Sequence, residues 1–145
     1  FGLAPLIVAE IFRIMKQIVI PVPNRPGVVA DVSEVLGAAG INIEEMDAEG
    51  AVDNGVIILM VDHYDAALRA LQEAGFQAIS EDALVLKLLN EPGALAKVAR
   101  RLEHAAINIR SLRIAKHLGG NTLVTLVTDR QDEAREILRD CLVSL

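Results

Sequence analysis

The apolar positions of this chain change rhythm at regular intervals, and the same order of rhythms occurs twice. "QIVIPVP" (17–23) and "ALVLKLL" (83–89) are short apolar runs, β-branched in the first and Leu-rich in the second, and they read as strands. A helical rhythm follows each. Val29, Val32, Leu36 and Ala39 fall on one face, as do Leu95, Val98, Leu102 and Ala105, while Asp31, Glu34, Lys97, Arg100 and Arg101 fall elsewhere and read as solvated. Pro26 and Pro92 open these helices at the first turn, where a missing N–H costs nothing. Gly40 closes the first in the usual manner, and Ala106 takes its place in the second. A second strand then begins at each "INI", turns at "GAVDNG" or "HLGGN", and returns as "VIILMV" or "TLVTLV". Asp65, and Asp129 or Asp132, are expected to cap a second helix in each half. "FQAIS" and "CLVSL" supply a final strand.

The recurrence is literal. Residues 24–43 overlaid on residues 90–109 are identical at ten of twenty positions without a gap: Asn, Pro, Gly, Ala, Val, Leu, Ala, Ile, Asn and Ile. A repeat of this length fixes the architecture. It predicts two modules, residues 16–81 and 82–145, each in the order βαββαβ. That order is the ferredoxin-like split βαβ, of class α+β, an antiparallel sheet with both helices on one face.

The pattern strand, "N-x-P-G", helix, "[IV]-N-I", strand resembles the ACT domain, an amino-acid-sensing module found beside enzymes of amino-acid metabolism. Two such modules cover the chain from Lys16 to Leu145. The resemblance implies a regulatory, non-enzymatic protein that is a homodimer and binds a small amino acid between modules. It also makes a partner enzyme of amino-acid metabolism plausible. The contacts it implies are Asn24, Arg25, Pro26, Gly27, Val28, Asn42 and Ile43, with counterparts Asn90, Glu91, Pro92, Gly93, Ala94, Asn108 and Ile109. Serine-sensing members carry a histidine where this chain has Val22 and Leu88, so serine specificity is not implied.

The residue types themselves suit a zwitterion. A helix N-terminus offers unpaired N–H groups and a favourable dipole to a carboxylate. Gly27 and Gly93 allow close approach to the backbone, and a carboxamide such as Asn24 or Asn42 both donates and accepts. Asn24 is expected to converge with Asn42 at one end of the sheet, and Asn90 with Asn108. Arg25 stands where the second copy has Glu91, which favours the first module as the carboxylate-binding loop. Turn and cap chemistry alone also accounts for Asn, Pro and Gly at these positions, and a module that only assembles subunits is the competing reading.

Composition excludes more than it identifies. With a net charge of −6 and 3% aromatic residues, the chain lacks the positive footprint and stacking rings of a nucleic-acid binder. The single cysteine, Cys141, can form no internal disulfide, which fits a reducing, cytoplasmic setting. No two of the three histidines have ligand spacing, no Ser/His/Asp or Cys/His set recurs, and Glu44 and Glu45 point to opposite faces of a strand. No catalytic residue, metal or cofactor is expected. The opening "FGLAPLIVAEIFRIMK" is broken by Glu10 and Arg13 and is too short to cross a bilayer. Residues 1–15 are expected to be an extension outside the fold, or else a packed helix with Leu6, Ile7, Ile11 and Ile14 on one stripe.

Overall fold

The computed structural model describes residue 11 and residues 14–143. The described residues divide into two compact units, Lys16–Glu81 on one hand and those from Asp82 onward, with those before Lys16, on the other.

In the first unit the order is β1 (Lys16–Pro23), α1 (Val28–Ala38), β2 (Ile43–Ala51), β3 (Asn54–Val61), α2 (Tyr64–Glu73) and β4 (Ile79–Asp82). The strands form a sheet ordered β2-β3-β1-β4. β3 pairs antiparallel with both neighbours, Ile57 lying opposite Ile20 on β1 and opposite Ala48 on β2. Strand side chains alternate between faces, so Ile18, Ile20 and Val22 join Ile57, Leu59 and Val61 in one core with Val32, Leu36, Ala67 and Leu71 of the helices. The buried stripe of α1 is Val28, Val32 and Leu36, so Val32 and Leu36 face the core as expected while Val28 takes the place of Val29, which is left 40% exposed. The helix starts after Gly27, with Pro26 just outside it.

The second unit repeats the plan with β5 (Leu84–Leu89), α3 (Ala94–His104), β6 (Ile109–Leu118), β7 (Asn121–Thr128) and α4 (Gln131–Ile137). Its sheet is ordered β5-β7-β6. Leu84, Leu86 and Leu88 meet Val124, Leu126, Val98, Leu102 and Leu138 in the core. Among the described residues the expected final strand shows one antiparallel bridge, Leu86 to Leu142, with Lys87 N–H donating to Cys141 O at 2.8 Å and Val143 N–H to Val85 O at 2.8 Å. The two sheets and four helices are the two ferredoxin-like modules expected, of class α+β.

Both first helices end in the same hydrogen-bonded cap. Ile41 N–H donates to Leu36 O and Ile107 N–H to Leu102 O, each at 2.9 Å. The closing residue is left-handed in both, Gly40 at φ 73° and Ala106 at φ 56°. Alanine is strained there, and the Arg130 guanidinium shores up the turn by donating to Ala105 O at 2.8 Å and Ala106 O at 2.6 Å. The second helices do not use their aspartates as caps: the capping positions are His63 and Arg130, with no side-chain cap bond. Before β1, Ile11 and Ile14 are each 1% exposed, and Ala83 N–H donates to Met15 O at 3.0 Å. Leu6 and Ile7 lie outside the described residues.

Candidate functional site

The residues singled out by the repeat fall at opposite ends of each sheet. Asn24 follows β1, whose last residue, Pro23, pairs with Asn54 at the start of β3. Asn42 precedes Ile43, which pairs with Val61 at the end of β3. β3 has eight residues, so the two ends stand about 23 Å apart at ~3.3 Å per residue. The same separation holds for Asn90, beyond the Leu89–Asn121 pair, and Asn108, beside the Ile109–Thr128 pair. The expected convergence within a module is therefore wrong. The reason is chain direction: α1 and α3 carry the chain back to the end where the preceding strand began, and the next strand starts there.

At the loop end of the first module, Asn24 N–H donates to Asp53 O at 2.9 Å and its Nδ2 donates to Val52 O at 2.8 Å. The carboxamide thus pins the β2–β3 hairpin, whose turn residue Val52 has φ 58°. Gly27 caps α1 at φ 87°, and no side chain bonds to the first-turn N–H groups. Arg25 donates to Asp31 Oδ2 at 2.7 Å and to Pro26 O at 3.1 Å. Beneath the loop is a cavity of about 180 Å³ whose lining includes Asn24, Arg25, Val28, Glu49, Gly50 and Ile57.

The second module builds the same place from different side chains. Asn90 N–H donates to Gly120 O at 2.8 Å, and Gly93 caps α3 at φ 86° with no side-chain cap bond. By hairpin register His117 and Thr122 stand where the first module has Gly50 and Gly55. His117 Nδ1 lies 3.1 Å from Thr122 Oγ1. The cavity here is about 110 Å³, and Asn90, Glu91, Ala94, Ile114, His117 and Thr122 are among its lining. Pro26 and Pro92 are exposed and shape the loops without lining either cavity. His117, Thr122 and Glu49 were not singled out from sequence, because only the strand register brings them under the loop.

At the opposite end, Asn42 and Asn108 are held by their backbones. Asn42 N–H donates to Asp62 Oδ1 at 3.0 Å while Asp62 N–H donates back to Asn42 O at 3.2 Å. Asn108 and Asp129 make the same exchange at 3.0 and 3.1 Å. The hydrogen bond with His63, aided by the one from Asn42, holds the Asp62 carboxyl below its ordinary pKa. Ile43 and Ile109 are half-buried against their cores. Asn108 and Ile109 also border an open depression of about 430 Å³ with Ala99, Glu103, Ala106 and Ile107. Burial pushes the Cys141 thiol up in pKa, so it is a poor nucleophile. Among the described residues no group of His, Cys, Asp and Glu has the arrangement to hold a metal ion, and no helix is long and apolar enough to cross a membrane.

A family model described as an ACT domain pair matches residues 13–143. The chain belongs to the ACT domain pair family. Protein BT0572 from Bacteroides thetaiotaomicron is similar to this ACT pair over 88% of this chain and 90% of its own, at 27% identity and a TM-score of 0.70. The ligand-free regulatory subunit of aspartate kinase from Thermus thermophilus is similar over 86% of this chain and 88% of its own, at 21% identity and a TM-score of 0.56. The corresponding subunit from Thermus flavus gives 86%, 88%, 20% and 0.57. No curated protein sequence matches the chain.

Proposed function

We propose that this ACT pair is a cytoplasmic, non-catalytic regulatory protein that binds a small amino acid at the loop between the first strand and first helix of a module. Binding would shift an association equilibrium, either of a homodimer or with an enzyme of amino-acid metabolism. One observation carries the reading. In both modules an uncapped helix start, preceded by a left-handed glycine and an asparagine, opens beside a cavity that the same loop lines. The helix start supplies donors and partial positive charge to a carboxylate, and the cavity receives the side chain. The regulatory subunits among the similar structures support the regulatory half of the reading. A ligand shifts association only as far as its affinities for the two states differ.

The test is a thermal-shift screen of the twenty amino acids, joined to sedimentation velocity with and without the ligand found. At 100 times its dissociation constant a ligand stabilises by about 2.7 kcal/mol, a rise of roughly 5–10 °C for a chain of this size. Asn90→Ala, an exposed position, should lessen the shift. A flat screen on folded protein would sink the sensor and leave an assembly module, a reading that the positions of β2 and β6 at the edges of their sheets favour.

A further inference from the structure

Resting on the amino-acid-binding reading, we infer that the second module's cavity selects an amino acid with a branched aliphatic side chain of three or four carbons. Most of the lining is aliphatic, with Leu88, Leu95 and Val124 within and the exposed Leu89 and Ile114 at the mouth. Its volume of about 110 Å³ is room for three or four groups at roughly 30 Å³ each, the share of one water molecule in the liquid. Leu89 is 60% and Ile114 53% exposed, two of the five large apolar side chains left in solvent among the described residues. A ligand that brought an alkyl group to this mouth would cover both, which is a gain in buried apolar area that no small or charged side chain provides.

The polar groups are placed for the other end of such a molecule. Glu91 is the one carboxylate in the lining and neither Lys nor Arg accompanies it there, so the rim attracts an ammonium. The start of α3, uncapped by any side chain, attracts a carboxylate. His117 is held by Thr122, which is 6% exposed, so the imidazole walls the cavity at a fixed place. The first module differs in kind. There the wall is Gly50 and Gly55, and the rim carries Arg25 and Glu49.

Isothermal titration calorimetry of the full chain with Val, Leu and Ile, against Gly, Ser, Asp and Lys, tests the inference. The three aliphatic amino acids should bind at least tenfold more tightly than the others. Ile114→Lys, at an exposed position that leaves the core intact, should weaken them at least tenfold. Ile79→Lys, at a similarly exposed isoleucine of β4 that lines neither cavity, should not. Tighter binding of small or charged amino acids, or aliphatic binding untouched by Ile114→Lys, overturns the selectivity while leaving an amino-acid sensor. Binding of none of the seven, in a chain whose melting shows it folded, overturns this inference, and a flat screen of all twenty amino acids removes the sensor reading with it.

Discussion

The carboxamide of Asn24 lies over Gly50, so close that a Cβ at position 50 would fall well inside van der Waals contact with its Oδ1. From there its Nδ2 reaches Val52 O at 2.8 Å. The two residues are a latch: the glycine makes the space, and the asparagine uses it to tie the end of β1 to the β2–β3 turn. Gly50→Ala should displace the carboxamide and cost about 1 kcal/mol, the net worth of the hydrogen bond. In an Asn24→Ala background the same substitution should be neutral or mildly stabilising, since alanine suits a strand better than glycine. A urea double-mutant cycle reads the coupling. A coupling energy near zero would show that the two positions act separately.

Ala106 and Gly40 occupy the same left-handed cap, one with a Cβ and one without. The left-handed conformation costs an L-residue roughly 1–2 kcal/mol, against about 0.5–1 kcal/mol for the extra chain freedom of glycine. Ala106→Gly should therefore stabilise by ~0.5–1 kcal/mol, which is a melting rise of about 1–4 °C. Gly40→Ala should lose a similar amount, and all of it is backbone strain because nothing lies within 4 Å of the added Cβ. Calorimetry on the two variants checks both signs. The gain at 106 should grow in an Arg130→Ala background, where the guanidinium no longer holds the Ala105 and Ala106 carbonyls.

Asp140 receives hydrogen bonds from Arg101 at 2.6 and 3.1 Å, and that guanidinium holds its carboxyl below the ordinary carboxylate value. A carboxyl with a depressed folded-state pKa contributes stability above its unfolded pKa of about 3.9, and loses that contribution as the pH falls through its folded pKa. Acid should therefore destabilise the chain below about pH 4. Asp140→Asn should make the fall shallower by a small amount, as the carboxylate is exposed. Denaturation midpoints between pH 2 and 7 read the slope, and identical slopes would place the acid sensitivity at other carboxylates.

The repeat made most of the fold legible, because ten shared positions name the strand, turn and helix starts in both halves. What escaped was decided by pairing across the chain. The helical period placed Val29, Val32, Leu36 and Ala39 on the buried face; Val32 and Leu36 are buried there, but Val28 takes the place of Val29 and Ala39 is exposed. "CLVSL" has strand composition, yet among its described residues only Leu142 forms a bridge to β5, with backbone bonds at Cys141 and Val143 on either side, because the turn after α4 runs up to it. Asn24 and Asn42 looked like partners because they flank one helix. That same helix separates them by the length of the sheet. His117 read as a turn residue beside Gly119 and Gly120, and only the β6–β7 register reveals it as a cavity wall.

Arg25 shows why a charged residue in a motif is not yet a binding group. Its guanidinium is engaged by Asp31 at 2.7 Å, with the two side chains 47% and 49% exposed. A ligand carboxylate at the first loop must compete with Asp31 for those donors. An exposed ion pair is worth about 0–1 kcal/mol, so Asp31→Asn should tighten amino-acid binding at this loop by up to roughly fivefold. The effect is cleanest in an Ile114→Lys background, where the second module's cavity is compromised and calorimetry reports the first site. Tightening would identify Arg25 as a carboxylate donor held in check by its own helix. Unchanged affinity would mean that the first loop binds a carboxylate through the start of α1 alone, without the guanidinium.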